Sequence, residues 1–376
     1  MNTIDNIQLN EGQKNYHYWK KTLEVKQPAT NDLELLGVSF DAFQHIYLLC
    51  GSSNKNKLYL ARYNILENKL SKFKFIGELP EKIYQANIYE ENFNYQKWYL
   101  LGNKNIWDIK IYKNSSSSNE ITSFAENLYP IDYHNNYRNH EGGTQIIFDK
   151  IPWIIGGKLI KNAGIDTRSR VLVAARWGAW LNGRKGAYWR GLNKIHFLTQ
   201  KRVNPIVHMT NDKLICIGGV EDDSQENVIE FIPIRPFYIY HSHGSAREDE
   251  FTKIFNTERS LQLYDGLNYN IKTNFPKPAS CVFNNSIFIF SNTLFDSSKP
   301  IYCKYNFANK EFGGWEFLQP ENYKSKEFIF SSAKVVPIGN TMYLILFNSN
   351  NELDWEYLDD EPSNNGTQIK IFKITE

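Results

Sequence analysis

The sequence predicts an all-β protein assembled from repeated short-strand units. Two observations lead to that class. A polar turn followed by a compact apolar run recurs along the chain. Aromatic residues make up 15% of the 376 residues, with 23 Tyr and 24 Phe. Flat side chains pack well across a pleated surface, so this enrichment favours strands. Hydrophobic residues reach 41%, which supplies a sizeable core and argues against disorder.

The recurring run is clearest in the middle of the chain. Residues 149–157 read DKIPWIIGG and residues 211–219 read NDKLICIGG. Each has a polar turn, a strand and a Gly-Gly pair at the same offset. Weaker copies read HIYLLCG at 45–51, KWYLLG at 97–102, NNSIFIF at 284–290 and GNTMYLILF at 339–347. A strand is expected to run into most copies, at 144–148, 205–209, 279–283 and 333–338. Another is expected after several of them, at 58–63, 106–112, 300–305 and 367–374. Period-two alternation bounded by turn residues is the mark of hairpins. A fourth strand closes some units: Tyr63-Asn64 is followed ten residues later by Phe73, and Tyr305-Asn306 by Trp315, with apolar stretches ending near Pro80 and Pro320.

Four antiparallel strands in roughly fifty residues make a propeller blade, so the expected architecture is a β-propeller. Blades are placed at 31–80, 81–130, 131–203, 204–277, 278–327 and 328–376. The third and fourth are enlarged, so each carries an insertion or a seventh blade lies between them. The last unit has three strands, and residues 15–25, centred on Trp19, read as the outer strand it lacks. Residues 1–30 therefore complete the last blade, and the whole chain, 1–376, is one domain. Pairing strands from opposite termini removes a free edge. Residues 245–255 (SAREDEFTKIF) read as a short helix with Ser245 as its cap.

These features resemble kelch repeats, and more distantly the central domain of galactose oxidase. The kelch pattern is four apolar residues, Gly-Gly, then a later Tyr and Trp. Trp153-Ile154-Ile155-Gly156-Gly157 and Leu214-Ile215-Cys216-Ile217-Gly218-Gly219 carry its first half, and Tyr305 and Trp315 its second. In other units Gly-Gly decays to Cys50-Gly51, Gly102-Asn103 or Ser291-Asn292. Glycine suits positive φ and close backbone approach. The later aromatic is expected to pack against a neighbouring blade. The alternative is that Gly-Gly marks hairpins of another sandwich or barrel.

Charge is uneven. The net charge is +2, yet residues 158–202 hold eleven Lys and Arg against the single acid Asp166, or +10, leaving −8 for the remainder. Within that segment Arg176, Trp177, Trp180, Arg184, Trp189 and Arg190 interleave cations with indoles. Guanidinium forks suit carboxylate, sulfate or phosphate, and tryptophan stacks on flat ligands. These six are the candidate ligand-binding residues, on loops of the kind where partners dock. The competing reading pairs the arginines with acids elsewhere and buries the tryptophans.

Other constellations carry less. Six acids lie between Glu352 and Glu361, without the glycine that a calcium loop of the EF-hand type needs. His241 and His243 have a spacing zinc accepts, although a chance pair explains it equally. Cys50, Cys216, Cys281 and Cys303 form no CxxC pair, and three sit in or beside apolar runs, as buried thiols do. No nucleophile elbow, P-loop or dinucleotide fingerprint is present, so neither cofactor nor metal is expected. No apolar leader or membrane-spanning run is visible, and a cytoplasmic protein is the expectation.

The functional expectation is a non-catalytic binding or scaffolding propeller that recognises a protein partner through its loop face. Its alternatives are a lectin-like binder of an anionic glycan using 158–202, and a sugar-modifying enzyme with its site at the central channel, where Lys or Arg with Glu supports mutarotation in some bacterial kelch-like enzymes. Nucleic acid is disfavoured because the remainder of the chain is acidic.

Overall fold

The computed structural model describes residues 18–26, 33–52, 56–103, 105–113, 120–125, 142–148, 151–156, 169–179, 185–191, 197–202, 204–209, 213–217, 228–233, 258–262, 279–292, 300–308, 311–312, 316–317, 332–348 and 367–375. Every regular element among them is a β-strand. The helix expected at 245–255, the histidine pair, the acidic stretch before Glu361 and Trp315 lie outside the described residues.

The strands follow one another in short antiparallel runs. β1 (Tyr18–Lys26) comes first and stands apart from its sequence neighbours. The first run is β2 (Glu34–Phe40), β3 (His45–Gly51), β4 (Lys57–Asn64), β5 (Lys69–Leu70) and β6 (Lys74–Glu78), with β5 and β6 both paired to β4. The second is β7 (Ile83–Glu91), β8 (Tyr95–Gly102), β9 (Ile106–Tyr112) and β10 (Glu120–Ala125). The third is β11 (Gly143–Phe148), β12 (Ile151–Gly156), β13 (Ser169–Ala179), β14 (Lys185–Gly191) and β15 (Phe197–Arg202). The fourth is β16 (Ile206–Met209), β17 (Lys213–Ile217), β18 (Val228–Pro233) and β19 (Glu258–Gln262). The fifth is β20 (Ala279–Phe283), β21 (Ser286–Asn292), β22 (Pro300–Asn306), β23 (Glu311–Phe312) and β24 (Glu316–Phe317). The sixth is β25 (Ser332–Ile338), β26 (Thr341–Asn348) and β27 (Gln368–Thr375).

β1 joins this last run, antiparallel to β27, from Tyr18 opposite Thr375 to Lys26 opposite Gln368. The strand expected near Trp19 and the three-stranded C-terminal unit therefore share one sheet.

In each run the first strand lies nearest its neighbours in other runs. β2 lies against β7, β7 against β11, β11 against β16, β16 against β20, β20 against β25, and β25 against β2. The reason is in the side chains. Along β3, Ile46, Leu48 and Cys50 turn to one face, while Tyr47 and Leu49 turn to the other. Both faces are apolar because both are covered, which period-two strands allow.

One core joins the sixth run to the first, with Ile345 and Phe347 meeting Leu35, Leu48 and Ala61. A second, around Trp98 and Leu100, joins the first run to the second. A third, rich in Phe288, Phe290 and Leu344, joins the fifth to the sixth. A fourth sets Ile215 and Ile217 against Ile287 and Ile289. Tyr63 and Tyr305, the aromatics expected to face a neighbouring unit, do so: Tyr63 lies 6.5 Å from the Tyr343 ring, and Tyr305 lies in the core shared with Ile215.

Two glycines show why those positions resist side chains. Gly156 ends β12 at φ 70, a conformation costly for residues with a Cβ. Gly37 faces β7 so closely that a Cβ there would collide with the Ala86 carbonyl. All four cysteines are buried, and none is in a disulfide.

Candidate functional site

The first strands of several runs carry polar side chains, two of which reach a neighbouring first strand. The second strands place them in register. Asn87 pairs with Tyr99, His208 with Ile215 and Lys334 with Ile345. Each partner stands three positions before the residue closing its apolar run, namely Gly102, Gly218 and Asn348. The corresponding positions in the other runs are Ser39, Ile146 and Cys281, opposite Tyr47, Trp153 and Phe288. Polar residues thus occupy this level in the first, second, fourth and sixth runs, and apolar ones in the third and fifth; Ser39, the one in the first run, is buried and donates to Gln96 Oε1 at 2.8 Å. Asn87, His208 and Lys334 each keep some exposed surface.

Two of these polar residues reach the next first strand in order. The Asn87 amide donates to the Gln145 backbone carbonyl at 3.1 Å and to Gln145 Oε1 at 2.9 Å. Gln85 closes the same seam: its Nε2 donates to the Gln145 carbonyl at 3.0 Å, and its Oε1 accepts from the Gln145 N–H at 3.0 Å. Gln145 is only 1% exposed, and its Nε2 has no hydrogen-bond partner. A buried donor without a partner is costly. His208 Nε2 lies 2.9 Å from Ser280 Oγ, the imidazole tautomer deciding which of the two donates.

Lys334 points the same way round, toward the first run. There the Leu35 N–H donates to Ser332 Oγ at 2.9 Å and the Leu33 N–H to Thr367 Oγ1 at 3.1 Å. Surrounding protein pushes the Lys334 ammonium down to about 8, and the Glu34 carboxylate opposes that shift. The arrangement therefore offers an amide, an imidazole, an amine and a carboxylate on adjoining strands. Such a set suits hydroxyl and anionic groups.

The basic segment is placed differently. Arg176 and Trp177 lie on β13, Trp189 and Arg190 on β14, while Trp180 and Arg184 lie outside the described residues. Arg176 stands opposite Tyr188, Trp177 opposite Ala187, Trp189 opposite Ala175 and Arg190 opposite Ala174. The register brings the four onto one antiparallel hairpin. β13 is long because its first half pairs with β12 and its second half with β14. β14 also touches β10 through a parallel pairing of Ala187 with Ala125.

Sequence reasoning did not single out Asn87, His208 or Lys334. Their common signal is an equal offset across the hairpin from the end of each apolar run. That offset is visible only once the hairpin turns are fixed, because bulges between Ile83 and Gln85 and between Leu35 and Gly37 shift the count. Among the described residues no cluster of three or more His, Cys, Asp and Glu has metal-binding geometry.

The class that this fold defines is the β-propeller. A solved luciferin-regenerating enzyme, itself of that fold, superposes with a TM-score of 0.50 over 94% of this chain and 96% of its own, at 11% identity. The phage phi92 endosialidase superposes with a TM-score of 0.49 over 96% of this chain and 69% of its own, at 9% identity. No family model matches the chain, and no curated protein matches it in sequence. Among the described residues no helix is long and apolar enough to cross a membrane.

Proposed function

We propose that the chain is a six-bladed, kelch-like propeller, closed by β1, that binds a small sugar-class ligand with hydroxyl and anionic groups where its first strands meet. The observation that carries this reading is the equivalence of Asn87, His208 and Lys334 in alternate runs. Three donors at one level around a common centre match a small, many-armed polar ligand better than a flat partner surface. The cyclic order of first-strand contacts and the pairing of β1 with β27 support six blades and closure. Lys334 with Glu34 supplies the cation and acid that a sugar-modifying reaction at the centre would use.

Calorimetry against neutral sugars, sugar acids and sugar phosphates tests this. At least one class is expected to bind, and His208→Ala and Lys334→Met are each expected to weaken it about tenfold, roughly 1.4 kcal/mol, with the melting temperature little changed. If every class binds more weakly than about 1 mM, or both variants bind like the wild type, the axial reading is wrong.

A second reading rests on the β13–β14 hairpin, which brings Arg176, Trp177, Trp189 and Arg190 onto neighbouring strands. That grouping supports an outer surface for an anionic glycan or an acidic protein partner. Heparin retention that falls steeply with salt, and that is lost in an Arg176/Arg184/Arg190→Ala variant, is the expected result. Flow-through of the wild type would point to internally paired arginines.

A further inference from the structure

We propose that the chain docks on anionic lipid bilayers through the hairpin tips at one end of its first three runs, a peripheral contact that goes beyond both ligand readings. Exposure is the first observation. Among the described residues four large apolar side chains stand exposed: Phe43, Leu66, Phe75 and Phe93. Phe75 lies within an outer strand, opposite Tyr59. The other three sit on turns: Phe43 between β2 and β3, Leu66 between β4 and β5, and Phe93 between β7 and β8.

These turns share one end of the molecule. The Phe43 and Phe93 rings meet edge to face at 5.5 Å, and the N–H of Ile65, beside Leu66, donates to the Gln44 carbonyl at 3.0 Å. Each turn is also held by its own side chain. The Asp41 carboxylate accepts from the N–H groups of Phe43 and His45 at 2.9 and 3.0 Å. Asn64 Oδ1 accepts from those of Leu66 and Glu67 at 2.9 and 3.1 Å, and Asn92 Oδ1 from those of Asn94 and Tyr95 at 2.8 and 2.9 Å. Bonds of this kind stiffen turns, so the apolar tips need little further ordering on binding. The matching turns of the fifth and sixth runs carry Asn284-Asn285 and Gly339-Asn340 instead, which confines the apolar tips to one sector.

Cations come to the same end. β10 and β14, the fourth strands of the second and third runs, pair in parallel, so those two runs point the same way. The end of β13 at Ala179 and the start of β14 at Lys185 are paired, and they therefore open on the end where Phe93 stands. That hairpin belongs to the basic segment 158–202, with eleven Lys and Arg against one acid. Lys113 adds a cation beside the tips, its Nζ 5.8 Å from the Phe43 ring centroid and 2.7 Å from the Glu91 carboxylate. An anionic leaflet accepts such a set: apolar tips enter the boundary between headgroups and acyl chains, while the cations stay among the phosphates. Three tips on separate turns suit a fluid surface that closes around each one better than a rigid partner cut to fit all three.

The test is sedimentation of the full chain with vesicles of phosphatidylcholine, alone or with about 30% phosphatidylserine. The wild type is expected to pellet with the anionic vesicles, to be released as salt rises, and to bind the neutral ones at least about tenfold more weakly. Phe43→Ser/Phe93→Ser and Leu66→Ser are each expected to weaken binding about tenfold, with the melting temperature little changed. Phe75 is 52% exposed against 48% for Phe43, but it stands away from the tips, so Phe75→Ser is expected to bind like the wild type.

No binding to the anionic vesicles overturns the inference. So does binding that is equal on neutral vesicles, that survives Phe43→Ser/Phe93→Ser, or that falls as far with Phe75→Ser. Retention on heparin without vesicle binding sinks the lipid contact and leaves the second ligand reading standing.

Discussion

At the residue scale, single atoms set how closely the strands approach and where protons sit. Gly37 admits the Ala86 carbonyl where a Cβ would collide with it. Gly37→Ala is expected to cost about 1–3 kcal/mol, as overpacking does, read as a lower urea midpoint; an unchanged midpoint would mean that β2 and β7 separate freely. Asp108 is a different case. One carboxylate oxygen accepts from the Tyr89 hydroxyl at 2.8 Å, while the other is buried without a partner. Desolvation raises its pKa, so the fold favours the neutral acid. Stability from this group is full below the ordinary carboxylate value near 4 and is lost as pH rises through the folded value. Asp108→Asn is expected to gain on the wild type in urea midpoint as pH climbs from about 4 to 7; a difference constant across that window would sink the account. Lys334 has the opposite sign. Its folded pKa is depressed to about 8, so the unfolded chain binds more protons between there and the ordinary lysine value, and stability rises with pH across that interval. None of these residues was legible beforehand. A half-buried aspartate, a close-contact glycine and a half-buried lysine look ordinary in sequence, and only the neighbouring strand makes them otherwise.

At the element scale the sequence was far more legible. The strand expected at 279–283 is β20 residue for residue, and 106–112 is β9. Those at 144–148, 205–209 and 333–338 differ from the observed strands by a residue at one end, and 367–374 by a residue at each end. These hairpins alternate cleanly and carry Asn or Gly at their turns; Asn284 and Asn285 take positive φ between β20 and β21. Where alternation failed, reading failed. β13 and β14 were seen as a charged, glycine-loosened loop, because arginines interrupt their apolar pattern, yet they pair over seven residues from Val173 to Ala179. β1 was legible through Trp19 and Leu23, and its partner through the missing fourth strand. Removing residues 1–26 strips β27 of that partner and bares its edge. The truncated chain is expected to melt several degrees lower and to self-associate at high concentration, checked by thermal melts and light scattering. A truncation that melts like the full chain would show that β1 adds nothing to the sheet.

At the scale of the whole molecule, what was legible was the class. Recurring runs at similar spacing, with both faces of each strand apolar, imply sheets covered on both sides, and stacked sheets of that kind are the economy of a propeller. A far-UV spectrum dominated by strand is expected, and a strong helical signal would contradict the architecture. The proposed centre was not legible, because it belongs to no single repeat. Asn87, His208 and Lys334 are each unremarkable in their own strand and become a set only when several strands are brought side by side. The charge run at 158–202 was conspicuous for the opposite reason: it is continuous in sequence, and sequence reading favours what is continuous.

The pairing of β1 with β27 also has a consequence in time. β1 leaves the ribosome well before its partner does. At cellular elongation rates the interval between them is on the order of tens of seconds. Throughout it, a nine-residue segment must stay extended and unclaimed while the intervening sheets form. Its sequence, YWKKTLEVK, sets three lysines and a glutamate among its apolar residues, and such gatekeeping charges keep a waiting strand from joining a neighbour's. The β1–β27 ladder therefore forms only after the intervening sheets have been made, and a chain that stops short of β27 leaves β1 without its partner.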